Sequence, residues 1–214
     1  MIAHHLTEPL LMAYAAGTLP EAFDLAVACH LSLCDECRAT AESYDALGAA
    51  VLDTCPESRV SGDCLEATLA RIRGEAPDPA PARPIKTDAI LPAPLVDYVG
   101  GGVEDIPWRG VGMGVRQAIL KTAGSCEARL LYIPAGAAMP DHGHRGMEIT
   151  LVLQGAFSDA HGRFARGDVE IATEDDDHMP VADISGDCIC LAATDARLRF
   201  KGLLPRLAQP FLKI

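Results

Sequence analysis

The sequence predicts a multidomain α + β protein, with a small all-α domain followed by an all-β barrel. Three observations carry that expectation. Apolar residues recur at helical spacing from residue 7 to about residue 74. Six of the 20 residues between Glu75 and Pro94 are proline. From Val96 onward, short apolar runs alternate with Gly, Pro and Asp turns, and no amphipathic helix is expected between them.

Leu10, Leu11, Tyr14 and Ala15 form the first helical repeat, interrupted at Gly17 to Pro20. Pro20 suits the first turn of the next helix, with Thr18 a candidate cap. Cys34 to Leu52 carries apolar positions at Ala41, Tyr44, Leu47 and Val51, and Cys55-Pro56 ends that stripe. Asp63 is placed to cap a last short helix through Leu65, Leu69 and Ile72 to Gly74. The prolines at 77, 79, 81, 84, 92 and 94 predict an extended, semi-rigid linker over about 75–94. The division is therefore a helical domain over 1–85, a β domain over 95–195 and a tail over 196–214. The expected strands include Ala128–Ile133, Glu148–Leu153, Asp168–Ala172 and Cys188–Ala192, whose spacing suits a barrel or sandwich.

Charge narrows the function. The net charge of the 214 residues is −12. Residues 1–85 hold 13 acidic and 5 basic side chains, a net of −8. Such a surface repels a phosphate backbone, so direct nucleic-acid binding is not expected. It suits a basic protein partner, and it equally serves solubility. No charged-then-apolar leader opens the chain, and no apolar stretch approaches the ~20 residues of a membrane span. Eight cysteines without an export signal point to reduced thiols or metal ligands in the cytoplasm.

His30, Cys34 and Cys37 read H-x3-C-x2-C. On a helix they are i, i+4 and i+7, on one face, and three such donors grip one side of a tetrahedral Zn²⁺. The fourth ligand must come from elsewhere. His5 is the natural candidate, His4 beside it is not separated from it by spacing alone, and Cys29 competes with poorer direction. A 70-residue domain has a thin core and profits from a structural metal. These residues resemble the motif of the zinc-containing anti-sigma factors. That resemblance implies a helical domain wedged between the DNA-contacting regions of an extracytoplasmic-function sigma factor.

Gly136, His142, His144, Glu148 and Gly155 form a second constellation. Two histidines two apart on a strand face the same way, and Glu148 opens the next run. The pattern resembles the first cupin consensus, which implies a jelly-roll, or double-stranded β-helix, barrel. His178 follows Gly167 by the eleven residues of the second cupin motif, although Thr173, Asp175 and Ala182 depart from it. Three imidazoles and a carboxylate suit Zn²⁺, and also Fe²⁺, Mn²⁺ or Ni²⁺. His161 reads as an exposed turn histidine, 174–177 as a solvated acidic turn, and Cys188 and Cys190 as small side chains in a barrel wall.

A zinc anti-sigma-like module, a proline-rich linker and a cupin in this order resemble the ChrR group of anti-sigma factors across the chain. The resemblance implies two zinc ions, one held by His5, His30, Cys34 and Cys37 and one by His142, His144, Glu148 and His178. It further implies about one-to-one inhibition of a sigma factor, relieved when the cupin perceives singlet oxygen, and no catalytic residues. The alternative is a metal-dependent cupin dioxygenase or isomerase with a regulatory helical domain, since an open metal position can polarise a substrate.

Overall fold

A computed structural model describes residues 2–74, 88–200 and 202. The linker expected over 75–94 lies outside the described residues as far as 87, as does most of the tail expected from 196.

Acidic residues and prolines open the helices where the macrodipole and the orphan N–H groups favour them. Helix α1 spans Glu8–Ala15 with Pro9 in its first turn, and Gly17 at φ +65° turns the chain out of it. Helix α2 spans Glu21–Leu31, entered from Pro20, with Glu21 and Asp24 in its first turn. Eight of its residues are buried, so it is apolar nearly all round and sits inside the molecule. Helix α3 spans Asp35–Asp53, with Asp35 and Glu36 in its first turn, and α4 spans Cys64–Gly74.

Of the helical stripe read at Ala41, Tyr44, Leu47 and Val51, only Ala41 is buried; Leu47 and Val51 point to solvent, and no residue of α4 is buried. One expectation is corrected here. Pro92 and Pro94 do not extend a linker. They open a fifth helix, α5, over Ala93–Val99, closed by Gly100 at φ +81°. Proline lacks only an N–H that the first turn leaves unused, and its fixed φ suits a helix start, so proline density alone misplaced the boundary.

The β region holds twelve strands among the described residues: β1 Arg109–Gly112, β2 Val115–Leu120, β3 Glu127–Ile133, β4 His142–Gly143, β5 Glu148–Gln154, β6 Ala156–Ser158, β7 Arg163–Ala165, β8 Val169–Ala172, β9 Asp177–His178, β10 Val181–Ala182, β11 Cys188–Thr194 and β12 Arg199–Phe200. The large sheet runs β1-β2-β3-β11-β5-β8, and two small sheets run β10-β6-β7 and β12-β4-β9. Neighbours pair antiparallel throughout.

Register sorts side chains to two faces. Cys190 pairs with Leu131 and Val152, and this row faces inward with Phe157, Phe164 and Ala182. Leu191 pairs with Leu130 and Leu151, and this row faces outward, where α2 covers it and α5 packs against α2. Strand β11 is consequently buried along its whole length on both faces. One apolar cluster runs from Leu10, Phe23 and Val27 through Leu95 to Leu130, Leu151 and Leu191. Each such side chain contributes about 1.5–3 kcal/mol by leaving water, so helices and sheet stabilise one another.

Candidate metal centres

The helical candidate ligands come from three elements, not from one helix face as the spacing suggested. His30 lies in the last turn of α2, Cys34 is the N-cap of α3, and Cys37 sits in the first turn of α3. The turn between the helices folds i+4 and i+7 back toward His30. His5, in the extended segment before α1, completes the group: its Nδ1 lies 3.3 Å from Cys34 Sγ and 3.5 Å from Cys37 Sγ. One ligand atom from each of the four residues falls within 4.8 Å of the others. His4 turns the other way, its ring tilted against that of Phe164 with centroids 4.4 Å apart and its Nδ1 3.7 Å from Asp168. Cys29 is buried in the core outside the group, and burial pushes its thiol up to about 12.

His30 is fully buried. Its Nδ1 donates to the carbonyl of Gly167 at 2.9 Å, while its Nε2 has no protein partner. An orphaned buried nitrogen facing two thiols and a second imidazole fits a soft divalent cation. Burial pushes the Cys37 thiol up to about 11 and lowers His30. A cation at this point reverses that logic by favouring the thiolate and the neutral imidazole.

In the barrel, β4 and β9 pair so that His142 stands opposite His178, and His144 follows directly after β4. All three rings are buried. His178 Nε2 lies 3.1 Å from His142 Nε2 and 3.2 Å from His144 Nε2. Two of the outer nitrogens have hydrogen-bond acceptors and the third faces a carboxylate. His142 Nδ1 donates to Pro140 O at 2.8 Å, His144 Nδ1 faces Glu148 Oε2 at 3.8 Å, and His178 Nδ1 lies 2.9 Å from Asp159 Oδ2 and 3.0 Å from Glu170 Oε1. Three Nε2 atoms this close, each ring held from behind, need a cation or proton between them, and the set fits a divalent metal. Glu148 is buried, but its carboxylate lies behind His144 and accepts from Thr150 Oγ1 at 3.1 Å, outside the three converging nitrogens.

Asp159 and Glu170 are two further candidate site residues that sequence reasoning did not single out. With His161 and His178 they bring four more donor atoms within 4.8 Å. His161 is 46% exposed at its side chain, but it leans over the carboxylate pair, 3.7 Å from Asp159 and 3.8 Å from Glu170. Burial pushes Glu170 up to about 7. Burial also works against the Asp159 carboxylate, yet bonds from Glu170, His178 and the His161 amide bring it down to about 2. Burial disfavours charge on His178 too, but the Glu170 and Asp159 carboxylates raise it to about 9. The available signal for Glu170 was its place between Val169 and Ile171 in an expected strand, since an acidic residue buried on a strand needs a partner. The 174–177 turn is tied by Asp176, whose Oδ2 accepts from Thr173 N at 2.8 Å. Cys188 and Cys190 lie in the barrel wall, Sγ to Sγ 3.5 Å; their mutual hydrogen bond and burial raise the Cys190 thiol well above its usual value.

Residues 99–196 match the ChrR cupin-like domain family. The anti-sigma-E factor ChrR of Cereibacter sphaeroides is 56% identical over 213 residues, covering 100% of this chain and 99% of its own length. A crystal structure of Rhodobacter sphaeroides SigE in complex with the anti-sigma ChrR aligns with a TM-score of 0.81 and 53% identity, over 91% of this chain and 100% of that one.

Proposed function

The chain belongs to the ChrR family of anti-sigma factors, and from that premise we propose that it binds a sigma-E-type factor one to one and keeps it from RNA polymerase. Its role is regulatory rather than catalytic. The observation that carries the reading is the apolar surface left uncovered on α3 and α4. Leu47, Val51, Leu65 and Ile72 are 58%, 58%, 67% and 64% exposed. A helix without a buried face gains little stability alone, and a run of exposed apolar residues marks an interaction surface. The net charge of −8 over residues 1–85 complements a partner with basic DNA-contacting surfaces.

In this reading residues 1–85 hold the sigma factor, 95–195 form the sensing barrel and 196–214 are a tail. His5, His30, Cys34 and Cys37 hold one Zn²⁺. His142, His144 and His178, with Glu148 beside them, hold a second, and zinc at either place supplies fixed positive charge and geometry. The protein works in the cytoplasm beside the polymerase; no helix among the described residues is long and apolar enough to cross a membrane. Singlet oxygen reaching the barrel oxidises ligand side chains or displaces metal, and the grip on the sigma factor weakens.

The test is co-purification of the full chain with the cell's sigma-E-type factor, followed by transcription with and without photo-oxidative stress. A one-to-one complex that silences transcription supports the reading. Replacing His142, His144 and Glu148 by Ala should abolish the response while inhibition persists; loss of inhibition as well would refute the division of labour.

A further inference from the structure

We propose that residues 167–170, the turn into β8 and the start of that strand, position ligands of both metal centres and so couple them: metal in one raises the affinity of the other. The inference rests on the reading that both centres hold metal.

The contacts are consecutive along the chain. Gly167 O accepts from His30 Nδ1 at 2.9 Å, which fixes the tautomer and leaves Nε2 to face Cys34 and Cys37. Asp168, buried, accepts from the amides of Ala3 and His4 through Oδ1 at 2.6 and 3.0 Å, and from Ala165 N through Oδ2 at 2.8 Å. Val169 N donates to His4 O at 3.3 Å. The backbone immediately before His5 is therefore held on both its N–H and its C=O by the barrel. One residue further, Glu170 accepts from His178 Nδ1 at 3.0 Å. The chain brings one centre's supports and the other's within four successive residues, about 10 Å of extended backbone.

This stretch is stiff. Gly167 N donates to Val152 O at 2.8 Å, Val152 N donates to Asp168 O at 3.1 Å, and Glu170 pairs with Thr150 on β5. Gly167 itself, at φ +91°, leaves space that a Cβ would take from Ile2, whose Cδ1 would lie 2.7 Å away. The N-terminal segment thus packs directly on the turn. A shift of the turn that misaims His178 also misaims His30 and the segment bearing His5. Removing one such supporting contact typically lowers metal affinity about 10- to 100-fold, and a coupling between two sites works equally in both directions.

Titrating the full chain with Co²⁺ against a competing chelator tests this, because the thiolate-to-cobalt absorption reports the cysteine-containing centre alone. The His142→Ala/His144→Ala double variant and Asp168→Ala should each weaken that band's midpoint about 10-fold, although neither removes a ligand of the centre observed. Asp168→Asn, which keeps one acceptor oxygen, should fall between them and the wild type. Cys34→Ser/Cys37→Ser should weaken Co²⁺ at the barrel by the same factor as the reciprocal pair. Leu191→Ala, in the shared core and away from residues 167–170, destabilises the fold and should leave the midpoint in place. An unchanged midpoint in the double variant overturns the coupling, as does a shift confined to Asp168→Ala. Absence of any Co²⁺ in the wild-type barrel or thiolate centre overturns the metal reading itself.

Discussion

At the scale of single residues, the barrel centre is held by hydrogen bonds behind the imidazoles. Asp159→Asn keeps the size of the side chain but weakens the acceptor for His178 Nδ1, so barrel metal affinity should fall about 10-fold or more by chelator competition, with the thiolate centre less affected. pH acts on the same ring. In the metal-free chain His178 is raised from 6.5 to about 9, so its stabilising contribution is fully present below pH 6.5 and is lost as pH rises through 9. The melting temperature of metal-free protein should fall across that window, and His178→Gln should flatten the fall. Metal affinity should climb over the same range, because the proton must leave before the nitrogen can ligate. His178 was reached by its distance from Gly167, and the grouping of His30, Cys34 and Cys37, and of His142 and His144, was legible because that spacing is local. Asp159 and Glu170 were not, because they meet His178 only through the fold. The sequence favours His5 over His4 on the expectation that the N-terminal segment packs across the helix, though spacing alone does not separate the two; the contacts that turn His4 aside come from Phe164 and Asp168, both more than 150 residues away.

At the scale of elements, helix starts and strand runs were readable from proline, acidic first turns and alternation, because those signals act within a turn or two. What α3 and α4 pack against was not readable. Their apolar stripes look like core-facing stripes, and periodicity does not say whether the covering surface belongs to the same chain. That distinction gives a test. Leu47→Asp and Leu65→Asp replace side chains that are exposed, so the melting of the free chain should move by less than about 0.5 kcal/mol equivalent. Capture of the sigma factor should weaken at least about 10-fold, as when apolar anchors are lost from an interface. Leu25→Ala or Leu151→Ala should behave in the opposite order. Each opens a cavity in the shared core and should cost about 2–5 kcal/mol in chemical denaturation, while leaving the sigma-facing residues in place.

At the scale of the whole molecule, composition suggested two halves with a linker between them, because proline density is visible in a sequence and burial between distant segments is not. The structure instead runs one apolar cluster from α1 and α2 into the outer face of β3, β11 and β5. Helix α2, buried nearly all round, faces α1 and α3 on one side and the sheet on the other. Two halves joined only by a tether would separate once the tether were cut; halves sharing a core would not. A protease site placed within residues 75–87 provides the cut without disturbing a described contact. After cleavage the fragments should co-elute at the size of the intact 22.6 kDa chain and melt in a single transition. Metal removal should then weaken their association, since His30 and the segment before His5 are bonded across the interface to Gly167, Asp168 and Val169. Fragments that separate with both centres loaded would mean that the covalent linker, and not the packing of α2 on the sheet, holds the halves together. Any signal from barrel to sigma factor would then have to travel through residues 75–87.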